Sequence, residues 1–228
     1  MSYTVLARKY RPQKLSELIG QDTLVKVITN SFRLNRIAHA FLLTGSRGIG
    51  KTSTARIIAK GLNCIEPSNN NLPTVNPCGK CETCVSITES RHIDVIEMDA
   101  ASRTGVSDVR EIIDNIDYKT VYARFKVYII DEVHMLSNSA FNALLKTLEE
   151  PPEHVKFIFA TTEVLKIPNT IISRCQRFDL ERIDNQLIIK HLSNICHKED
   201  IDFSSSALSM ISNVSEGSVR DALSILDQ

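Results

Sequence analysis

Tryptophan is missing from these 228 residues, and aromatic side chains together make up only 6% of them. No array of stacking rings is evident, so readout of nucleic-acid bases is not expected. A surplus of one charge is lacking as well. The 27 Lys and Arg balance 27 Asp and Glu, giving a formal charge of +0. Any DNA contact must then come from a local patch, because no global basic field exists. No run of about 18 apolar residues is present, so no membrane-spanning segment is read. Met1–Lys9 has no apolar signal core after its charges, and the expected location is the cytoplasm. In that reducing compartment the six cysteines read as metal ligands or buried thiols rather than disulfides.

What is there is an ordinary globular composition, 43% hydrophobic and 24% charged. It suffices for one sizeable core, or one core with a small appended domain. Apolar runs at Ala40–Thr44, Ile93–Met98, Phe125–Ile130 and Val155–Ala160, with a weaker one at Gln176–Leu180, alternate with helical periodicity. That pattern predicts an α/β domain with a five-stranded parallel sheet covered on both faces. Ala55, Ile58, Ala59 and Leu62 carry the helical spacing after the first strand. Phe141, Leu144, Leu145 and Leu148 carry it after the third, and Pro151-Pro152 stops that helix. From Asn185 onward only helical patterns remain. The expected division is residues 1–180 for the sheet domain and 181–228 for a small helical domain. Asp227-Gln228 falls within a helical pattern that lacks a stop signal, so the sequence reads as a truncated piece.

Gly45-Ser46-Arg47-Gly48-Ile49-Gly50-Lys51-Thr52 satisfies G-x-x-x-x-G-K-[ST] in full, between an apolar strand and an amphipathic helix. Its glycines let backbone N–H groups curl around phosphate oxygens at a helix N-terminus. Lys51 would supply a point charge to the β- and γ-phosphates, and Thr52 a hydroxyl to Mg²⁺. A second signature, Asp131-Glu132-Val133-His134, ends the third strand. Asp131 would hold Mg²⁺ through its water shell, and Glu132 would orient and polarise the attacking water. Taken alone, each motif has a plainer reading, a chance glycine-rich turn and a solvated acidic strand end. Together they predict a nucleotide hydrolase.

Cys64, Cys78, Cys81 and Cys84 have the spacing C-x13-C-x2-C-x2-C in a segment of Pro, Asn and Gly without apolar periodicity. Four thiolates close a tetrahedral Zn²⁺ shell, which makes a structural ion ordering residues 64–84 the expectation. Four unligated thiols, or a catalytic zinc, are the competing readings. Cys175 and Cys196 stand apart and read as buried thiols.

Asp-Glu-x-His also occurs in DExH helicases, so it does not choose among P-loop families. Other segments do: Thr161-Thr162 at a strand end, Ser173-Arg174-Cys175, Gly217-Ser218-Val219-Arg220-Asp221, Ala7-Arg8-Lys9-Tyr10-Arg11-Pro12, Asp99-Ala100-Ala101-Ser102-Arg103 and the run from Phe141 to His154. With the cysteine module, they resemble the tau/gamma family of bacterial DNA polymerase III clamp-loader subunits along essentially the whole chain. The resemblance implies a P-loop AAA+ domain with the four-cysteine zinc module inserted, followed by a helical lid. It implies an ATPase within the polymerase holoenzyme that has no polymerase site of its own.

By the same resemblance, Thr162 is the better sensor candidate of the Thr pair, and Arg174 is an arginine finger acting in trans on a neighbouring subunit. Arg220 is a lid contact to phosphate, and the segment with Arg11 lies near the adenine. On the residues alone, Arg174 reads as a surface ion pair. Arg220 reads equally well as a solvated helix residue, Thr162 as a backbone-capping hydroxyl, and the arm around Arg11 as extended and solvated. Arg103, Arg110 and Lys146 resemble DNA-contacting positions, with ordinary solvated charge as the alternative. Such contacts would be sequence-independent and salt-sensitive. The implied partners are the delta and delta-prime subunits, further gamma/tau copies, the sliding clamp and primed DNA. Two other functional classes stay open: a non-hydrolysing scaffold subunit of the clamp loader, and a DExH-type helicase.

Overall fold

The computed structural model describes residues 4–66, 72–102 and 106–228. Five strands form one parallel sheet: β1 (Ala40–Thr44), β2 (Val95–Asp99), β3 (Lys126–Asp131), β4 (Val155–Thr161) and β5 (Gln176–Asp179). Their spatial order is β2-β3-β4-β1-β5. Ten helices accompany them among the described residues: α1 (Leu6–Lys9), α2 (Asp22–Arg33), α3 (Lys51–Asn63), α4 (Glu82–Thr88), α5 (Val106–Ile116), α6 (Asn138–Glu149), α7 (Asn169–Ile172), α8 (Asn185–Lys198), α9 (Ser205–Val214) and α10 (Val219–Leu226).

The central strands are buried along their whole apolar length, as parallel strands covered on both sides must be. One face meets α2 and α3 through Phe41, Leu43, Ile129 and Ile158 packed on Ile28, Ile58 and Leu62. The other meets α5, α6 and α7 through Leu42, Tyr128, Phe157 and Phe159 packed on Ile112, Phe141 and Ile171. Each such side chain removed from water contributes about 1.5–3 kcal/mol. No helix among the described residues is long and apolar enough to cross a membrane.

The second strand starts later than its apolar run suggests. Ile93 is exposed and Asp94 is buried. The Asp94 carboxylate accepts N–H bonds from Val121, Tyr122 and Ala123, at 2.8–3.1 Å. The residues before β2 therefore anchor the loop leading into β3 rather than extending the sheet.

A third core belongs to the C-terminal helices. Ile188, Leu192 and Ile195 of α8, Leu208 of α9 and Ala222 and Leu223 of α10 pack together with Leu6. The reading of the arm as solvated is corrected here. Leu6 is only 5% exposed, its N–H donates to the Asp227 carboxylate, and the Tyr10 hydroxyl donates to Glu199. Arm and lid close one apolar core that neither completes by itself.

Candidate nucleotide and metal sites

A cleft of about 910 Å³ runs between the arm, the P-loop and α10. Its floor is the turn from β1 into α3, where Gly45, Gly48 and Gly50 all have positive φ. At Gly45 (φ +135) a Cβ would meet Ile49 Cδ1 at 2.4 Å and the Leu180 carbonyl at 2.6 Å. At Gly48 (φ +79) it would lie 2.0 Å from Ser218 Oγ at the start of α10. Only glycine permits both the loop conformation and the approach of the lid. Ser46 and Gly50 are half-buried, Ile49 packs into the core and Arg47 is exposed at the rim.

Lys51 is 6% exposed, and its ammonium donates to the carbonyls of Gly45 and Ser46, both at 2.8 Å. Burial holds its pKa below the usual lysine value, partly offset by Glu132 and Asp131. A poorly solvated cation folded inside a loop of N–H donors is a receptor for a multiply charged oxyanion. Thr52 Oγ1 donates to Asp131 Oδ2 at 2.5 Å. These two hard oxygen donors, one from the first turn of α3 and one from the end of β3, are the ligand chemistry that Mg²⁺ takes. The site therefore fits a nucleotide triphosphate with Mg²⁺. Lys51 and the loop amides would hold the phosphates, Thr52 and Asp131 would hold the ion, and the ion would neutralise charge on the phosphoryl group.

Glu132 occupies left-handed backbone (φ 48, ψ 44), a conformation that costs a non-glycine residue energy and is found at functional turns. Its Oε2 accepts from Thr162 Oγ1 at 2.9 Å and from Thr162 N at 3.3 Å. Thr162 thus faces the carboxylate, whereas Thr161, fully buried, lies 2.9 Å from His134 Nδ1.

The arm enters through Arg11, whose Nε donates to Ser53 Oγ on α3 at 2.9 Å. Burial, reinforced by Arg56, lowers the Arg11 pKa. Arg220 is exposed at the cleft wall, and its backbone N–H reaches the Gly48 carbonyl at 3.4 Å. Arg174 lies elsewhere, after α7, donating to Thr170 O and paired with Glu149. Within one copy it is kept apart from the P-loop cleft and lies at the surface. Lys146 on α6 and Arg110 on α5 are exposed, and Arg103 lies outside the described residues.

The four cysteines converge, with every Sγ within 4.8 Å of the others. A zinc tetrathiolate needs sulfur separations of about 3.8 Å, set by bonds of about 2.3 Å, and Cys78 and Cys84 are already at 4.0 Å. Backbone N–H groups point at the sulfurs: Cys78 N to Cys64 Sγ at 3.4 Å, Cys81 N to Cys78 Sγ at 3.2 Å and Cys84 N to Cys81 Sγ at 3.4 Å. Burial disfavours a Cys78 thiolate, but the donors from Cys81 and Lys80 outweigh it and bring the thiol to about 7. The cluster therefore fits a metal ion that takes thiolates. Of the two isolated thiols, Cys196 is buried, while Cys175 is half-buried rather than enclosed.

Three contributors were given no role by the sequence. Ser218 lies directly over Gly48. Lys60, 1% exposed, donates to Gln13 of the arm and Thr88 of α4, tying the cysteine module to the P-loop helix. His134 could be noticed only as the last letter of Asp-Glu-x-His.

Residues 20–184 match the family model described as DNA polymerase III, delta subunit, and residues 187–228 match DNA polymerase III clamp loader subunit, ATPase lid domain. Over 228 residues the chain is 52% identical to DNA polymerase III subunit tau/gamma of Haemophilus influenzae, covering 100% of this chain and 32% of that protein. It is likewise 52% identical to DNA polymerase III subunit tau of Escherichia coli, covering 35% of it. The chain thus spans about a third of the length of these relatives. Among solved structures, the Thermotoga maritima RuvB Holliday junction branch migration motor has a TM-score of 0.64 at 18% identity, over 94% of this chain and 63% of that one. At that identity the likeness is one of fold alone.

Proposed function

Since the chain belongs to the DNA polymerase III clamp-loader family, with tau/gamma subunits as its relatives, we propose that it is an ATP-hydrolysing motor that helps load a sliding clamp onto primed DNA. The carrying observation is the meeting of Thr52 and Asp131 at 2.5 Å in the cleft that Lys51 and Glu132 also line. Lys51 binds and orients the phosphates, Thr52 and Asp131 hold Mg²⁺, and Glu132 polarises the attacking water. Thr162 fixes the Glu132 carboxylate. Positioning and electrostatics supply most of the rate in phosphoryl transfer.

In this reading, residues 1–180 form the nucleotide-binding domain, with the cysteine module at 64–84 inserted, and 181–228 form the lid. Arg220 brings the nucleotide state to α10. Arg174, exposed and held by the Thr170 carbonyl and a surface ion pair, serves the γ-phosphate of an adjacent copy. Four thiolates leave a zinc ion no open position, so its role is structural. Arg103, Arg110 and Lys146 contact DNA phosphates without reading sequence. The partners are the delta and delta-prime subunits, further gamma/tau copies and the clamp, all in the cytoplasm.

The test is ATP turnover by this chain with partner subunits, clamp and primed DNA, compared with Lys51→Ala. Stimulation by DNA and clamp in the parent alone supports the motor. Equal rates in the two would leave a non-hydrolysing scaffold instead.

A further inference from the structure

We infer that His134 is a positioning residue for Glu132, the carboxylate assigned above to the attacking water, and this rests on the ATPase reading. The imidazole sits on the short 3-10 turn Val133–Met135, which Glu132 opens in left-handed backbone. That turn brings His134 Nδ1 to 3.4 Å from Glu132 Oε2. The same Nδ1 is 2.9 Å from Thr161 Oγ1, and Nε2 is 3.3 Å from Glu163 Oε1. Only 6% of the side chain is exposed, so the ring is enclosed, hydrogen-bonded at Nδ1 and facing a carboxylate at Nε2.

The proton inventory shows what such a ring does. Thr161 Oγ1 already accepts the Glu163 N–H at 3.0 Å, which leaves its own hydrogen free to donate. With the histidine proton on Nε2, the ring turns that N–H toward Glu163 and accepts from Thr161, and Glu132 is released from it. With a proton on Nδ1, the ring is a donor facing both Thr161 and Glu132. The same Glu132 oxygen, Oε2, meanwhile accepts from Thr162 Oγ1 and N. Two consecutive threonines at the tip of β4 thereby divide the work, one holding the carboxylate directly and the other aiming the ring beside it. A contact of 3.4 Å lies at the weak end of hydrogen bonding, which suits a support that lets the carboxylate turn toward water. Removing the ring would leave Glu132, among the described residues, with Thr162 as its side-chain hydrogen-bond partner and take from the buried Thr161 hydroxyl its contact with the ring.

The experiment compares ATP turnover by this chain, assembled with partner subunits, clamp and primed DNA, for the parent, His134→Ala, His134→Asn, Glu132→Gln and the double variant His134→Ala/Glu132→Gln. His134→Ala should lower kcat by about tenfold or more, the scale of losing a group that orients a catalytic ligand. Affinity for a non-hydrolysable ATP analogue should stay within about twofold, because the interaction serves the transition state. His134→Asn, whose amide can place a donor near the former Nδ1, should recover much of the rate. In the Glu132→Gln background the histidine change should cost nothing further, and this readout is one that general damage to the fold would not mimic.

A His134→Ala rate within about twofold of the parent overturns the assignment. So does an equal fold loss in the Glu132→Gln background, a matching loss of analogue affinity, or an Asn variant as slow as Ala. Lys51→Ala is measured alongside. Parent turnover no faster than that control would refute the ATPase reading itself and the assignment with it, an outcome distinct from loss of the histidine effect alone.

Discussion

Thr52 and Asp131 stand 79 positions apart in the chain and share a hydrogen bond of 2.5 Å. The sheet order makes this possible. Thr52 lies in the first turn of α3, which follows β1, Asp131 ends β3, and β4 runs between those strands. The tip of β4 is thus set between the phosphate loop and the acidic pair, which is why its two threonines reach Glu132 and His134. Sequence order gives no hint of this, because β4 follows both strands in the chain.

Lys51→Ala should abolish turnover, by at least about a hundredfold, as loss of a charge on the transferring group does. Stability should not fall in parallel. Burial already lowers the pKa of this lysine, so its removal relieves a desolvation cost. Thermal unfolding and ATPase assays on the same preparation check both halves. A large drop in melting temperature would contradict the second.

Arg174→Ala should separate folding from catalysis. Its pairing with Glu149 is partly exposed and is worth at most about 1 kcal/mol. Chemical denaturation should barely change, and nucleotide binding by the isolated chain should be intact. In the assembled complex, turnover should fall by about 10³-fold or more, the scale of an arginine finger. Full turnover in a complex made entirely of this variant would remove Arg174 from the mechanism.

Asp94 predicts an acid-sensitive loop. Burial pushes its pKa up, but the N–H groups of Tyr122, Val121 and Ala123 outweigh that and hold it below the usual carboxylate value. A carboxyl with a depressed folded-state pKa stabilises above its unfolded pKa of about 3.9, and that contribution is lost as pH falls through the folded value. Asp94→Asn should cost about 2 kcal/mol at neutral pH, the scale of hydrogen bonds to a charged group. It should also flatten the acid limb of the stability profile. Urea titrations at neutral and acidic pH distinguish this from a uniform loss.

Metal analysis should find one zinc per chain, and Cys81→Ser should lower that content. Chelation should increase proteolysis around residues 64–84, because the sequence of that module has no apolar periodicity with which to build a core, while the far-UV signature of the sheet domain persists. Unchanged protease resistance after complete metal removal would show that the cysteine contacts alone hold the module.

The sequence conveyed what is local and periodic. The five strands are where their apolar runs place them, apart from the start of β2, because buried parallel strands need continuous β-branched and aromatic residues. The phosphate loop was legible because glycine is required at its positive-φ positions. The packing of Leu6 against the C-terminal helices was not, since a four-residue helix has too little periodicity to reveal its partner. Lys60 was hidden for another reason: a lysine on an amphipathic helix normally reads as solvated, and only the tertiary structure surrounds it with Gln13 and Thr88. His134 was visible as a motif letter, but its bond to Thr161 depends on strand order.

The arm that starts the chain contributes Leu6 to the last helices, while its Arg11 is hydrogen-bonded to the phosphate-loop helix. Mechanically it is a strap stitched at one end to the lid and at the other to the nucleotide floor. Any swing of α8–α10 relative to the sheet must then tug on Arg11. Spectroscopic labels at the Leu6 end of the arm and on α10 should keep a constant separation when the C-terminal helices move, whereas labels at the Leu6 end and on α3 should change theirs.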